Sequence, residues 1–137
     1  MPPVFALKLV APDHLVYEGR VQSLVAPGVD GYFGVLFDHA PMIAQLRIGE
    51  LKIVEEGGQT RYFAISGGFL EVSSLDQVSL VADTAEAAED IDVARAKAAE
   101  ARARERIESL DEDVDHARAR GALQRALTRL ETVGKIG

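Results

Sequence analysis

Residues 82–96 read ADTAEAAEDIDVARA, and the character of the chain changes within them. Before this stretch the sequence consists of short apolar runs separated by glycine-containing turns, a pattern typical of β-strands. After it, alanine, glutamate, arginine and lysine dominate, and these residues favour helix. Asp90 or Asp92 is suited to cap the helix start, because a carboxylate accepts a hydrogen bond from a free backbone N–H. Arg95 lies one turn past Asp92, so the pair forms either a surface ion pair beside a cap or part of a polar-ligand site.

The composition excludes several classes of protein. The 137 residues are enough for one compact domain or a small domain with an appendage, and 47% hydrophobic content with no tryptophan predicts an aliphatic core. A net charge of −7 argues against nucleic-acid binding, because phosphate neutralisation needs a basic surface. The absence of cysteine excludes disulfides and thiol catalysis, and the three histidines show no metal-ligand spacing. No apolar run approaches the ~20 residues of a membrane span and no signal-peptide pattern is present, so we expect a soluble protein that reaches a membrane only through a partner.

The first 82 residues predict a small β-sandwich or barrel, because many short strands are separated by closely spaced turn signals. We expect strands at 5–9, 15–17, 21–26, 50–54, 59–66, 69–72 and 78–81, with turns at 18–20, 27–31 and 55–58. Gly67 and Gly68 are followed by a strand and not by Lys-Ser/Thr and a helix, so they do not form a phosphate loop. Tight packing at a strand corner explains them.

Residues 90–109 predict one helix, and a second is expected from an Asp115 cap to about Val133, where Gly134 ends it. The short connection predicts an antiparallel hairpin. Each helix carries a narrow, alanine-rich apolar stripe: Ala96, Ala99, Ala103, Ile107 and Leu110 on the first, and Ala119, Leu123, Ala126, Leu130 and Val133 on the second. A buried alanine contributes much less than the roughly 1.5–3 kcal/mol of a buried leucine, so we expect a weakly held, movable hairpin. An inert alanine-rich pair of helices remains an open alternative.

Two further groups of residues suggest contacts. Residues 31–41, GYFGVLFDHAP, predict a glycine-punctuated loop with an aromatic pair and His39, and the lack of a nucleophile or second acid favours a contact loop over a catalytic one. Steps of seven and four put three arginines on one face of the second helix: Arg118, Arg125 and Arg129. With Arg95 and Arg102 on the first helix, a closed hairpin brings several cations together around Asp92, and unpaired they would repel. We therefore expect an anion there, whether local acids, a phosphate chain or an acidic partner.

Four segments, taken together, resemble the epsilon subunits of bacterial F-type ATP synthases over essentially the whole chain. They are His39-Ala40-Pro41 after Gly34-Val35-Leu36, residues 66–72 (SGGFLEV), residues 82–86 (ADTAE) and residues 90–96 (DIDVARA). The last is similar to the I/L-D-x-x-R-A nucleotide motif of that family. Each segment by itself is weak evidence for this family, but all four in this order, across strands followed by a helical hairpin, are specific to it.

The resemblance implies an α+β fold, with a ten-stranded β-sandwich over residues 1–87 and an antiparallel two-helix hairpin over residues 88–137. It implies a non-catalytic subunit of the rotating central stalk that couples proton flow to ATP synthesis and inhibits ATP hydrolysis through its helices. The implied partners are the gamma subunit, the c-ring and the beta subunit, at the cytoplasmic side of the bacterial plasma membrane. No catalytic residue, metal or cofactor is expected, and ATP is expected as a regulatory ligand.

The resemblance also implies three sets of site residues. ATP contacts are expected from Glu86, Ile91, Asp92, Arg95, Arg102, Arg125 and Arg129. A c-ring contact is expected from Gly31, Tyr32, Phe33 and His39, and a beta-subunit contact from Arg118, Arg125 and Arg129. The chain has Tyr32 where the family often has glutamate, and Phe37-Asp38 where it commonly has Pro-Gly. We therefore expect the c-ring contact to be kept without the glutamate charge.

Three functions follow from different readings of the hairpin. The first is a regulatory rotor subunit whose hairpin brakes ATP hydrolysis and is held folded by ATP. The second is a purely structural linker between the gamma subunit and the c-ring, with an inert hairpin. The third, an enzyme acting on nucleotides, is the weakest, since no phosphate loop, metal-ligand cluster or placed base is present in the sequence. A linker does not require Glu86, Asp92 and four arginines in register, so the regulatory function is favoured.

Overall fold

The structure is a computed structural model that describes residues 2–74 and 76–136. Within this part of the chain, seven strands are followed by a short 3₁₀ turn and two α-helices. The strands are β1 (Phe5–Ala11), β2 (His14–Gly28), β3 (Gly31–Leu36), β4 (Met42–Glu55), β5 (Thr60–Ser74), β6 (Gln77–Ala82) and β7 (Ala85–Ala87), the turn is Ala88–Asp90, and the helices are α1 (Val93–Glu108) and α2 (His116–Gly134). The expected division into a β-domain and a following helical domain is confirmed.

The strands form one sheet that closes on itself. Its order is β1-β6-β5-β4-β2-β3, β1 also pairs with β2, and β7 pairs with β5. The described strands number seven where ten were expected, because β2, β4 and β5 are each 14 or 15 residues long and continue through bends. Register shifts between Val21 and Ser23, and between Val25 and Gly28, mark such bends in β2.

Two stretches expected as turn and loop are strands. Gly19 pairs with Leu7 inside the β1–β2 ladder, and Gly34 pairs with Val25 inside the β2–β3 ladder. Gly19 lets the Tyr17 side chain pack closely against the backbone, since a Cβ atom at residue 19 would lie 2.7 Å from the Tyr17 hydroxyl oxygen. Residues 18–20 and 31–36 therefore extend strands despite their glycines, because cross-strand pairing and side-chain packing outweigh local turn preference.

The strand corner expected at Gly67 and Gly68 is present. Their φ angles are +77° and +132°, a region that side chains rarely adopt. A Cβ atom on Gly68 would lie 2.0 Å from the Val81 carbonyl oxygen. On one side of this corner β5 pairs with β6, and on the other side Ile65 pairs with Ala85 of β7. The glycines thus let one strand change partners.

The core is aliphatic apart from a few rings, as the composition predicts. Its largest fully buried side chains are Phe5, Phe63, Leu7, Leu9, Leu24, Leu51, Ile53, Ile65, Leu70 and Leu80. Tyr17 meets Phe63 edge-on, with ring centroids 5.7 Å apart. Every buried member of the main cluster precedes Ala88. The helices therefore contribute no buried apolar side chain to this cluster.

The two helices pack on each other through alanines, as expected. Ala96, Ala103, Ala119 and Ala126 are all buried. The expectation for Leu110 is wrong: it is 98% exposed, because α1 ends at Glu108 and Leu110 lies in the connection. Thr128 and Thr132 of α2, which the stripe did not include, are also buried, and α2 contacts β4 and β5. No helix in residues 2–74 and 76–136 is both long and apolar enough to cross a membrane.

Candidate functional site

The start of α1 is capped by Asp92 and not by Asp90. The Asp92 Oδ1 atom accepts a hydrogen bond from the Arg95 backbone N–H at 3.1 Å, while Asp90 belongs to the 3₁₀ turn. Ile91 is buried between them. An extended backbone at Asp92 (φ −81°, ψ 104°) is the geometry of an N-cap. The turn and the cap place Asp92 and Arg95, at the start of α1, near Glu86 of β7.

A cleft of about 430 Å³ opens at that junction. We call it the junction cleft, and it is lined by Glu86, Asp90, Asp92, Arg95, Ala96, Ala99, Arg102 and Arg129. Five of the seven residues expected to contact ATP therefore line one cleft, contributed by β7, α1 and α2. Ile91 is buried beside the cleft and is not in its lining. The expectation missed Asp90, Ala96 and Ala99, although the alanine stripe was a signal, since small side chains leave space between helices.

The charges of the junction cleft are only partly paired. The Arg129 Nε atom donates to the Glu86 Oε1 atom at 2.8 Å, and both side chains are partly exposed. Among the described residues, Arg95 and Arg102 form no ion pair within 4.0 Å. The cleft therefore holds two guanidinium groups whose donors are free for a ligand.

Arg125 does not line the junction cleft. It lines a second cavity of about 530 Å³, which we call the seam cavity, between β4, β5, the β6–β7 connection and α2. The seam cavity is lined by Arg47, Ile48, Ser66, Gly67, Asp83, Thr84 and Arg125. The Arg125 side chain runs back along α2, with its NH1 atom 3.4 Å from the position of a Cβ atom on Gly121. Arg125 and Arg129 are one turn apart but open into different cavities.

The arginine stripe of α2 is not uniformly displayed on the folded hairpin. Arg118 is exposed and its backbone N–H donates to the Asp115 cap at 3.0 Å, which confirms the expected capping role of Asp115. Arg125 and Arg129 are half-buried in their cavities. Only part of this face is therefore open to a partner while the hairpin lies on the sandwich.

The residues expected to contact the c-ring lie on β3 and the turn after it. Gly31, Tyr32 and Phe33 line a shallow cavity of about 490 Å³, and His39 lies outside that lining. The Tyr32 hydroxyl accepts a hydrogen bond from the Glu50 backbone N–H at 3.2 Å, and the Arg47 guanidinium lies 4.9 Å from the Tyr32 ring centroid. Tyr32 is thus held against β4.

Two carboxyl groups near the helical part have shifted pKa values. Burial raises the pKa of Glu50, beside Thr132 and Lys135 at the end of α2. A hydrogen bond from Arg61 lowers the pKa of Glu89, which lies within the 3₁₀ turn. Both carboxyl groups lie where the helical part meets the sandwich. No group of three or more metal-ligating side chains occurs within the described ranges.

Comparison with known proteins supports the same division. Residues 4–88 match the family model "ATP synthase, Delta/Epsilon chain, beta-sandwich domain", and residues 89–134 match "ATP synthase, Delta/Epsilon chain, long alpha-helix domain". A protein named ATP synthase epsilon chain from Desulforamulus reducens is 45% identical over 103 residues, 75% of this chain and 76% of that protein. One from Anoxybacillus flavithermus is 48% identical over 103 residues, 75% of each chain.

Solved structures agree with the sequence matches. A chain in the Euglena gracilis mitochondrial ATP synthase, OSCP/F1/c-ring, has a TM-score of 0.82 at 28% identity and covers 99% of this chain and 82% of its own length. A chain from the central stalk and c-ring of the Tetrahymena thermophila enzyme has a TM-score of 0.63 at 14% identity, covering 96% and 98%, and shares the fold. Both domains of the chain are matched, in the same order and over nearly their whole length, and the chain therefore belongs to the ATP synthase delta/epsilon family.

Proposed function

We propose that the chain is a non-catalytic rotor subunit of a bacterial F1Fo ATP synthase, the epsilon subunit of its central stalk. In this proposal the β-domain contacts the gamma subunit and the c-ring, and the subunit is peripheral at the cytoplasmic side of the membrane. The hairpin inhibits ATP hydrolysis when it leaves the sandwich, and ATP favours the folded hairpin. The family match over both domains supports the stalk role, and the assembly described for the Euglena relative supports the partners.

The junction cleft carries the ATP part of the proposal. Guanidinium groups hold phosphates through charge-assisted, often bidentate hydrogen bonds. Arg95 and Arg102 have no ion pair within the described ranges, and Arg129 has one carboxylate partner. Because Arg129 comes from α2 and the other two come from α1, the set exists only while the helices lie side by side. A ligand that needs all three arginines therefore prefers the closed hairpin.

Ligand binding can shift the equilibrium between the open and the closed hairpin. A ligand shifts a conformational equilibrium only by its difference in affinity for the two states. At a concentration ~100 times its dissociation constant, a ligand that binds one state adds about 2.7 kcal/mol to that state. The contact between α1 and α2 is built on buried alanines, which bury little apolar area. In this proposal, that contribution favours the closed hairpin over the open one.

The arginines of α2 that would inhibit ATP hydrolysis are only partly accessible while the hairpin is closed. Arg125 and Arg129 line cavities on the closed hairpin, and opening would expose them beside Arg118. Exposed ion pairs are worth about 0–1 kcal/mol each, so contact with an acidic surface of the beta subunit would depend on several arginines together and on salt.

A calorimetric titration of the full chain with ATP tests the proposal. We expect saturable binding by the wild type and roughly tenfold weaker binding by Arg102→Ala, the loss of about one charge-assisted contact. Arg104→Ala is the matched control, because Arg104 lies on α1 outside the cleft and pairs with Glu100 at 3.0 Å. No binding at millimolar ATP, or equal weakening in the control, would contradict the ATP role.

A structural linker with an inert hairpin is the second candidate. Asp92 already caps α1 and Glu86 already neutralises Arg129, so part of the charged cluster is satisfied without any ligand. A protein that assembles normally but binds no ATP would support the linker.

A further inference from the structure

We propose that the seam cavity binds a small phosphate-class oxyanion that bridges Arg47 of the sandwich and Arg125 of the hairpin. The cavity shares no lining residue with the junction cleft. In this proposal it is a separate site, and its ligand is an inorganic oxyanion and not a nucleotide.

The charge of the lining favours an anion. Arg47 and Arg125 form no ion pair within 4.0 Å in residues 2–74 and 76–136. Asp83 is the only acid among the lining residues, so it leaves one positive charge uncompensated. Two like charges facing one cavity repel each other, and an anion between them removes that repulsion.

Arg47 is held ready for such a ligand. Its guanidinium lies over the Tyr32 ring, and its NH1 atom donates to the Ile48 carbonyl at 3.1 Å. A guanidinium has five N–H donors, so this hydrogen bond leaves four for a ligand. A side chain already fixed in place loses less conformational entropy on binding than a free one.

The floor of the cavity supplies further hydrogen bonding. The Ser66 and Thr84 hydroxyls are hydrogen-bonded to each other, which uses one of their two protons and leaves the other free to donate. The backbone beneath is fixed, because the Ser66 N–H donates to the Thr84 carbonyl at 3.0 Å. Gly67, at φ +77°, lets the Asp83 carboxylate lie beside the backbone, since a Cβ atom there would be 2.9 Å from Asp83 Oδ2.

A ligand in the seam cavity would connect the sandwich to the hairpin. Arg47 belongs to β4 and Arg125 belongs to α2, and these elements pack against each other. A tetrahedral oxyanion can accept hydrogen bonds from both guanidinium groups at once. It would therefore hold α2 on the sandwich and favour the closed hairpin.

The test is an NMR titration of the full chain with potassium phosphate, with chloride adjusted to keep ionic strength constant. We expect saturable amide shifts at Ser66, Gly67 and Thr84 in the wild type. Arg47→Ala and Arg125→Ala should each weaken the apparent affinity by roughly tenfold or more. Arg104→Ala is the matched control, because Arg104 lines neither cavity and pairs with Glu100, and it should give the wild-type shifts at these three amides. If Arg47→Ala perturbs the whole spectrum, Arg47→Gln removes the charge while keeping a long polar side chain and is read in the same way.

A parallel titration with ATP separates the two sites. Phosphate binding that survives when ATP binding is lost would support the seam site even if the ATP role failed. Linear shifts without saturation, or equal phosphate affinity in the Arg47 and Arg125 variants, would overturn the proposal. Shifts at residues 66, 67 and 84 with ATP but not with phosphate would overturn it too, because the cavity would then belong to the nucleotide site.

Discussion

The Arg129 Nε atom lies 2.8 Å from the Glu86 Oε1 atom, an ion pair that joins α2 to β7 across 43 residues of chain. The two side chains are 33% and 40% exposed, so solvent screens the pair and its contribution is about 0–1 kcal/mol. The same guanidinium lines the junction cleft. A phosphate in the cleft would therefore meet an arginine that Glu86 has already placed.

Glu86→Gln should loosen α2 without unfolding the protein. The substitution removes the charge of a partly exposed pair, so we expect the free energy of α2 docking to fall by at most about 1 kcal/mol. Hydrogen exchange of α2 amides should be faster by up to roughly fivefold. Glu100→Gln is the matched control, because Glu100 pairs with Arg104 within α1. Unchanged exchange in Glu86→Gln, or equal acceleration in the control, would show that the ion pair does not hold the hairpin.

A chain that ends at Ala88 should remain folded. All buried members of the sandwich core precede that residue, and the helices bury mainly alanines and threonines. We expect a cooperative thermal transition by circular dichroism and retained binding to the gamma subunit. A non-cooperative melt would show that the β-domain depends on the hairpin, and loss of gamma binding from a folded fragment would place part of that contact on the helices.

Replacing Arg118, Arg125 and Arg129 together with alanine should relieve the inhibition of ATP hydrolysis in the assembled complex. All three are replaced because each exposed ion pair contributes only about 0–1 kcal/mol, so the arginines must act together. Inhibition by the wild type should also weaken as salt is raised. The control replaces Arg104 and Arg106, two exposed arginines of α1. Unchanged hydrolysis in the triple variant would exclude this stripe as the brake.

Docking of α2 should weaken as pH rises through the pKa of Glu50. Burial raises that pKa in the folded protein, and Glu131 raises it further, while Lys135, Lys52 and the nearby Thr132 hydroxyl oppose the shift. A carboxyl whose folded pKa is raised contributes stability below its unfolded pKa, about 4.3, and that stability is lost as pH increases through the folded pKa.

Glu50→Gln tests this directly by hydrogen exchange of α2 amides as a function of pH. The variant should dock more firmly than the wild type at neutral pH and lose the part of the pH dependence that begins near pH ~4.3. Glu71→Gln, at an exposed position of β5, is the control and should behave as the wild type does. An identical pH profile in Glu50→Gln and wild type would rule out Glu50 as the source.

The features that the sequence predicted well depend on residues close together in the chain. The Asp92 and Asp115 caps each accept a hydrogen bond from a backbone N–H three residues later, at 3.1 and 3.0 Å. The buried alanines follow the helical period. Five of the eight residues that line the junction cleft followed from the resemblance. Its arginines were also expected from spacing, because helix geometry places side chains at steps of three, four and seven on one face.

Sequence by itself determined that strands precede two helices, that Asp115 caps the second helix and that alanines join the two helices, since these features follow from local hydrogen bonds and periodicity. For the first helix the sequence left Asp90 and Asp92 as alternatives, and the structure selects Asp92. Only the tertiary structure decided that residues 31–36 form a strand, because their partner in β2 is chosen by pairing across the sheet. It also decided that Arg129 enters the junction cleft while Arg125 enters the seam cavity. Two arginines one turn apart share a helix face, and the elements packed on either side of that face determine where each side chain points.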